Sequence, residues 1–476
     1  MSYALYIGRN HSADGIAYLG GYGDEPSSHW LEIVGAATHA DAAVITVGVT
    51  PAANMPGVLT DIPQVAATAR HIRTSYSYYK GVPAPITNGG LNEHGVAVRD
   101  VWSTSRQQLI AMTPADQSGP NYSDLARIVM QRARSAREGV DIIGALIARH
   151  GESSYGGNSH LIADAQEAWA VIEPAGGVGL WAAERLGANS IRASRPGYIE
   201  TIPVDQPGHP DFLYSPNLLG FAIEQGWYRQ GEAFNFNAIY GDGKGRWEGV
   251  AWIEAQMAER AARAQKISLE DMIWAVRTPT LTGDTAGYGQ VVPLLDTDHP
   301  ELRMLWHTQV AAIAAPFVPV FMGQHQVPEE YRHHRYLTVR ESSKFMDTRK
   351  QAKEPESVSS VAQGIESTRS ASYVFKRLLY LVMQRPEDFL EELTGLWQAL
   401  EAKLMMQTTR VSETARILLE QQRPEHARDC LDYFSNNELM KALELAANLS
   451  TAIEARSRIL YGIGDDPVPR SLKQLW

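Results

Sequence analysis

A serine stands at position 2, directly after the initiator methionine, and this placement can by itself create a catalytic group. Methionine is normally removed when the next side chain is small, and the chain then begins with a hydroxyl and a free α-amine on one residue. The α-amine has a pKa of about 8 and can take the hydroxyl proton at neutral pH. Many ordinary proteins also begin with Met-Ser, so Ser2 is a nucleophile only if the rest of the chain supports that role.

The composition predicts a globular protein with a large core. The chain has 476 residues, is 44% hydrophobic and carries a formal net charge of −11, which suits a large catalytic domain with an accessory part. An acidic chain without a basic block is not expected to bind nucleic acid. The apolar stretch 311–321 is too short and too rich in proline to cross a bilayer, and no signal peptide is recognisable. We therefore expect a cytoplasmic protein without a membrane partner.

The few metal-ligand residue types in suggestive positions have simpler explanations. Cys430 is the only cysteine, which excludes an internal disulfide and a cysteine-based zinc site. The pair His333-His334 is flanked by Arg332 and Arg335, whose charges would repel a metal cation. A solvated or interface loop is favoured there, and no cofactor is expected.

The hydrophobic pattern changes from strand-like to helical along the chain. Strands are expected at 43–49, 95–98, 160–163 and 168–172, between glycine, proline and asparagine turns. One helix is expected from an N-cap at Ser123 to Gly151. A polar segment at 347–368 reads as a loop, and amphipathic spacing beyond it predicts helices at 372–383, 386–406, 411–422 and 437–460.

A series of short motifs runs in order along the chain after Ser2. They are Gly8, Asp14-Gly15, Gly23-Asp24-Glu-Pro26, Gly90-Leu-Asn-Glu-His-Gly-Val96, Asp124-Leu-Ala-Arg127, Arg132-Ala133, Ala136-Arg-Glu138, Glu167-Ala-Trp169, Leu180-Trp-Ala-Ala183, Asn217-Leu218, Gly226-Trp227, Phe234-Asn-Phe236, Gly289-Gln-Val-Val-Pro293, Pro316-Phe-Val-Pro319 and Glu366-Ser-Thr-Arg-Ser-Ala371. In this order they resemble the cysteine dipeptidase family of N-terminal nucleophile hydrolases, relatives of the secernins. The resemblance covers nearly the whole chain.

The resemblance implies an α+β fold, a four-layer αββα sandwich with a helical C-terminal region. The nucleophile would lie at the end of a central strand and face a cleft. The expected division is an αββα core at 1–345, a polar loop at 346–368 and a helical region at 369–476 that packs on the core.

The resemblance also implies roles for residues around the nucleophile. The family nucleophile is normally cysteine, and Ser2 takes its place, either as a natural serine variant or as a replacement that makes an inactive protein. Asp24 matches an acidic residue that would orient the α-amine, although a solvent-facing turn aspartate is the simpler alternative.

The chain departs from the family pattern just before Asp24. Gly21 and Tyr22 stand where the family has arginine and asparagine, which removes a cation from beside the nucleophile and is expected to open space for a bulkier group. Arg195 could supply the missing charge and clamp a carboxylate or oxyanion, with a surface arginine before a proline turn as the alternative.

Several further residues are expected around the cleft. The segments Trp102-Ser103 and 193–198 could provide donors for an oxyanion, whereas Asn92 and Glu93 are expected to build a turn. Cleft-lining roles are predicted for Asn158, His160 and Gln290. Tyr22, His29, Trp30 and Trp102 are predicted to form aromatic walls, which favours a substrate with an apolar or aromatic group.

These expectations predict an amide-bond hydrolase that acts through an N-terminal nucleophile and an acyl-enzyme. Its partner would be a dipeptide or another small-molecule substrate, and a homo-oligomer is compatible with the sequence. Two alternatives stay open: an acyltransferase on the same scaffold, and a catalytically silent scaffold whose C-terminal helices mediate assembly.

Overall fold

The computed structural model of the protein describes residues 2–24, 29–76, 79–332, 369–464 and 472–476. Most of its strands belong to two large antiparallel sheets, of six and eight strands, and three small pairs complete the set. Within these ranges no helix combines the length and the apolarity needed to cross a membrane. His333-His334 and the polar loop at 346–368 lie outside the described residues.

The strands are, in chain order, β1 (Tyr3–Ile7), β2 (Ala17–Gly23), β3 (His29–Val34), β4 (Ala37–Thr38), β5 (Val44–Gly48), β6 (Leu59–Pro63), β7 (Ala67–Thr68), β8 (His71–Tyr76), β9 (Ile86–Asn92), β10 (Ala97–Trp102), β11 (Asn158–Ala163), β12 (Ala168–Glu173), β13 (Ala182–Leu186), β14 (Ile191–Ser194), β15 (Thr201–Ile202), β16 (Phe212–Tyr214), β17 (Phe234–Asn235), β18 (Tyr288–Leu294), β19 (Met304–Thr308) and β20 (Val318–Phe321).

The α-helices are α1 (Gln107–Met112), α2 (Tyr122–Arg132), α3 (Ala136–His150), α4 (Leu218–Glu224), α5 (Phe236–Tyr240), α6 (Glu248–Ala261), α7 (Leu269–Arg277), α8 (Ala371–Gln384), α9 (Pro386–Glu420) and α10 (Pro424–Tyr461). Short 3₁₀ helices cover Arg9–His11, Pro300–Leu302 and Glu329–Tyr331.

The six-stranded sheet has the order β14-β1-β2-β18-β19-β20, in which the N-terminal strand β1 lies between the edge strand β14 and β2. Every residue of β1 and β2 is buried, which is typical of strands covered on both faces. The register pairs Tyr3 with Tyr22 and Ala4 with Ser194. Ser2, one residue before β1, is therefore level with the ends of β2 and β14.

The eight-stranded sheet has the order β16-β13-β12-β11-β10-β9-β8-β3 and packs against the six-stranded sheet. The contact is made by β1 and β2 on one side and by β10 and β11 on the other, and β19 also reaches β9. A core of alternating apolar residues fills the space, among them Ala4, Leu91 and Leu161.

Helices cover the outer face of each sheet. α2 and α3 pack on β9 to β12, while α6, α7 and parts of α9 and α10 pack on the six-stranded sheet. This confirms the predicted α+β, four-layer αββα architecture. The division at 346 and 368 falls outside the described residues, so the proposed domain boundaries stay a prediction.

The single helix predicted from Ser123 to Gly151 is wrong, because two helices occupy that segment. α2 begins at the N-cap Asn121, which forms a capping box with Asp124, and it ends at Arg132. Ser135 then caps α3 through the Glu138 amide. Apolar spacing continues across the break, but the cap residues decide where each helix begins.

The C-terminal helices are longer than the sequence pattern predicts. α9 runs without interruption through 407–410, where a break was expected, and it ends before Gln422, whose φ is +58°. α9 and α10 each have proline at the first position of the helix, where its missing N–H is not needed. Tertiary packing of α9 against α10 holds this weakly amphipathic segment in one helix.

Candidate active site

Ser2 lies just before β1, where the strands of the six-stranded sheet end, and its hydroxyl faces the eight-stranded sheet. The residue is buried, with 5% of its surface exposed. Its Oγ accepts a hydrogen bond from Asn88 Nδ2 of β9 at 3.4 Å. The first strand of one sheet thus presents the predicted nucleophile to a side chain of the other sheet.

Asn88 reaches Ser2 because β9 is irregular at this point. The β8–β9 pairing shifts between Arg73–Gly90 and Ser75–Thr87, which leaves Asn88 outside the regular alternation. Such irregularities redirect side chains and often lie next to functional sites. Sequence analysis missed Asn88, although it is part of the strand just before the recognised Gly90-Leu-Asn-Glu motif.

A chain of buried polar side chains continues from Asn88 into the eight-stranded sheet. We call Asn88, Asp100, Asn158, His160 and Glu173 the buried polar network. Asn88 Nδ2 also donates to Asp100 Oδ2 at 3.0 Å, and the Asn158 side chain hydrogen-bonds the Asp100 carboxylate. His160 Nδ1 contacts Glu173 Oε1 at 2.9 Å. Each of the five residues is 1% exposed or less.

His160 is held in its charged form. Its Nδ1 faces the Glu173 carboxylate and its Nε2 faces the Tyr122 carbonyl oxygen at 3.0 Å, and two acceptors require two N–H donors. Burial lowers the pKa of His160, but the charge of Glu173 and these hydrogen bonds outweigh it and raise the pKa to about 9.

The pKa values of two carboxyl groups at the site are also raised, which favours their neutral forms. Burial raises the pKa of Asp100 to about 6, against the opposing effects of His160, Asn88, Asn158 and Arg99. Burial also raises the pKa of Glu152 well above its ordinary value, and the nearby Glu173 and Asp100 charges add to this. Perturbed titratable groups beside a buried hydroxyl are typical of catalytic sites.

Asp24 and Arg195 also lie at the strand ends of the six-stranded sheet, close to Ser2 along the register. Arg195 Nη2 is 3.7 Å from Asp24 Oδ2, and Thr285 Oγ1 donates to Asp24 Oδ1 at 2.5 Å. Arg195 follows β14 and Asp24 follows β2, the two strands that flank β1. The structure thus brings a cation and a carboxylate to the strand ends beside Ser2.

Tyr22 belongs to a cluster with Arg195 on the helix-covered face of this sheet. Its hydroxyl accepts from Arg195 Nη1 at 2.6 Å and donates to the Leu281 carbonyl at 2.7 Å. Its ring lies 5.5 Å from that of Tyr3, which points away from Ser2 because neighbouring strand residues alternate. Trp476 stacks on Arg195 with 4.5 Å from guanidinium to ring centroid.

The space expected beside Gly21 is absent. Gly21 has a φ of +153°, and a Cβ there would lie 2.0 Å from the Tyr3 carbonyl oxygen. The close approach of β1 and β2 therefore requires glycine, and the bulkier group predicted at this point has no room.

The predicted aromatic walls are distributed over different places. The His29 ring lies between the sheets, 5.5 Å from Tyr288. The next residue, Trp30, points to the opposite face, where its side chain bonds Glu32. Trp102 lines a cavity of about 570 Å³ with Thr104 and Trp247, near the end of β10. The four aromatic residues therefore do not form one wall.

The remaining candidates are Gln290, the two segments proposed as oxyanion donors, and Asn92. Gln290 is fully buried and pairs with Gly21 of β2. The preceding residue, Gly289, faces α7. Because neighbouring strand residues alternate, Gln290 faces the eight-stranded sheet. The segments proposed as oxyanion donors meet each other, since Ser103 Oγ donates to the Gly197 carbonyl. Asn92 builds its turn as predicted, by accepting from the amides of His94 and Val96.

Comparison with known proteins supports the family. Residues 57–248 match the model of peptidase family C69. This match covers less than half of the chain; it agrees with the resemblance to the cysteine dipeptidase family and indicates a hydrolase of amide bonds. A mutant and a variant of the conjugated bile acid hydrolase from Clostridium perfringens are similar at 9% and 10% identity, over 68% and 67% of this chain and 92% of theirs. Their TM-scores of 0.30 are too low to support a conclusion.

Proposed function

With its match to peptidase family C69 as the premise, we propose that the protein hydrolyses a dipeptide or a small N-acyl amide through an acyl-enzyme on residue 2. One observation supports this most strongly. The buried Ser2 hydroxyl, just before the interior strand β1, lies 3.4 Å from the side-chain amide nitrogen of Asn88 in the opposite sheet. A nucleophile and a candidate oxyanion donor thus meet at one point.

The reaction begins once Met1 has been removed. The α-amine of Ser2 takes the proton of the hydroxyl, and Oγ attacks the substrate carbonyl carbon. The carbonyl oxygen becomes an oxyanion within reach of Asn88 Nδ2, which donates to it. The protonated α-amine then gives its proton to the leaving amine, and water releases the acyl group by the same steps.

Asp24 and Arg195 support the charge of the α-amine in this mechanism. Asp24 stabilises the ammonium form that exists after proton transfer. Arg195, 3.7 Å from Asp24, offsets the negative charge of that carboxylate. Arg195 thereby provides a positive charge in place of the arginine that the related family has at the position of Gly21.

The cavity at Trp102 is the best candidate for the apolar part of the substrate. It lies one residue pair beyond Asp100 along β10, and Asn158 is the register partner of Trp102. The Trp102 and Trp247 rings stand edge to face with centroids 6.0 Å apart, which gives the cavity an aromatic wall. Its volume of about 570 Å³ is large enough for an apolar side chain of a dipeptide substrate.

A panel of dipeptides and N-acyl amides tests the proposal. The intact mass first shows whether Met1 is removed, because a retained Met1 would block the α-amine. The original protein or Ser2→Cys should hydrolyse at least one compound, and Ser2→Ala should lose that activity by about 10³-fold or more. Ser12→Ala is the matched control, since Ser12 is equally buried but lies beyond the other end of β1. Equal activity of Ser2→Ala and Ser12→Ala would overturn the proposal.

A further inference from the structure

We propose that Asp100 is a positioning residue for the nucleophile, because its carboxylate fixes the Asn88 amide with the NH₂ group towards Ser2. This inference rests on the proposed function for its catalytic meaning. Its geometry is independent of any substrate, since every contact that it uses lies within the protein.

The hydrogen-bond donors and acceptors decide the orientation of Asn88. Nδ2 lies 3.0 Å from Asp100 Oδ2 and 3.4 Å from Ser2 Oγ. A carboxylate only accepts hydrogen bonds, so the NH₂ end of the amide must face it. The second N–H of the same group is then directed to Ser2. Without this carboxylate the amide could rotate and present its oxygen to the nucleophile.

The rest of the buried polar network holds Asp100 in place. Asn158 bonds the Asp100 carboxylate, and its own Oδ1 accepts from Tyr155 OH at 3.0 Å. Behind Asn158 lies the charged pair of His160 and Glu173, with both side chains completely buried. These hydrogen bonds restrain the side chains, because breaking one of them would leave a further buried polar group unpaired at a cost in desolvation energy.

The charges around Asp100 make this device sensitive to pH. His160 on β11 and Arg99 on its own strand favour the carboxylate. Glu173 on β12 lies nearby, as does Glu152 after α3, whose raised pKa favours its neutral form. Burial raises the pKa of Asp100 to about 6. Below that pH the protonated carboxyl becomes a donor, and it can bond the oxygen end of Asn88 instead.

The first test is the pH profile of hydrolysis for the best compound of the panel. We expect kcat to fall below about pH 6 with little change in KM. In Asp100→Asn this acidic limb should disappear, with kcat on the neutral plateau lowered roughly tenfold. A purely structural role would lower the melting temperature and leave the shape of the profile unchanged.

The second test needs no substrate. Ser2→Cys combined with Cys430→Ser leaves one thiol, and its rate of alkylation by iodoacetamide is followed by intact mass across the pH range. We expect an inflection near pH 6 in addition to the titration of the thiol, and its loss in Asp100→Asn. Glu401→Gln is the matched control, because Glu401 is an equally buried carboxyl that is paired with Arg277 in another part of the fold.

The two tests separate this inference from the proposed function. If no compound is hydrolysed but Asp100→Asn removes the inflection in alkylation, Asp100 positions residue 2 and the proposed hydrolysis fails. The other case is that hydrolysis is found while Asp100→Asn keeps both the acidic limb of kcat and the inflection in alkylation near pH 6. In that case the positioning role is overturned and the proposed function stands. Absence of any inflection in the reference protein also overturns it.

Discussion

Two buried charged clusters in this protein differ in how completely their polar atoms are paired. Arg277 of α7 and Glu401 of α9 form an ion pair in which every polar atom has a partner. Arg277 also donates to the carbonyls of Ala312 and Ala315, and Glu401 accepts from the Phe317 amide. Near Ser2, by contrast, Asn88 Oδ1, Glu152 Oε1 and Glu173 Oε2 have no partner among the described residues.

This difference is typical of a structural cluster on one side and of the proposed functional cluster on the other. A completely paired buried group stabilises the fold and offers nothing to a ligand. Incompletely paired groups cost stability, and they persist where chemistry needs them. The Arg277–Glu401 pair joins the C-terminal helix α9 to α7, whereas the buried polar network leaves unpaired hydrogen-bond acceptors near Ser2.

Removal of one partner of the structural pair should have the largest effect. Glu401→Ala leaves the Arg277 charge buried and unpaired, and we expect a loss of about 3–5 kcal/mol in the free energy of unfolding. Urea denaturation measures this loss. The alkylation rate of a cysteine at position 2 should stay the same at a temperature where the variant is folded. A parallel loss of that reactivity would contradict the separation of the two clusters.

Removal of the Asn88 amide should affect chemistry more than folding. We expect Asn88→Ala to lower kcat by about 10²–10³-fold, equivalent to about 2.7–4 kcal/mol of transition-state stabilisation. Asn92→Ala is the control, since Asn92 lies on the same strand but bonds the end of α2. If the two variants lose equal activity, Asn88 has no special role.

The pH dependence of stability should distinguish the functional cluster. The folded pKa of Asp100, about 6, exceeds the ordinary value of 3.8, so the folded protein keeps a proton that the unfolded chain releases in this window. Ionisation of Asp100 therefore destabilises the fold as the pH rises from about 4 to 6. We expect the change in the free energy of unfolding caused by Asp100→Asn to be more stabilising at pH 7.5 than at pH 4, by roughly 2 kcal/mol. Urea unfolding at both pH values measures this, and an equal effect at both would refute it.

The smallest effect is expected at Trp476, which joins the Arg195 cluster from the C-terminal segment. Trp476→Ala removes the stacking on Arg195 and the hydrogen bond to the Leu281 carbonyl. We expect a loss of about 1 kcal/mol in stability and a severalfold fall in kcat. Trp274→Ala removes a similar stacking on Arg260, far along α7, and should leave kcat unchanged. Equal kcat in both variants would show that Arg195 does not depend on Trp476.

Local pattern in the sequence predicts much of the scaffold. The strands predicted at 160–163 and 168–172 lie within β11 and β12, and the amphipathic segments after 369 become helices. The break between α2 and α3 is missed because hydrophobic periodicity continues through it. The predicted break in α9 is absent because packing against α10 overrides a weak local pattern.

The sequence by itself determines that residue 2 can be a nucleophile, and the order of motifs resembles that of the cysteine dipeptidase family. Only the tertiary structure decides what faces that nucleophile. Asn88 is 86 residues from Ser2, and it meets Ser2 because two sheets stack and β9 is irregular at that position. Sheet stacking and register depend on contacts between distant segments, which a local pattern does not encode. The same reason explains why Trp476, at the other end of the chain, lies on Arg195.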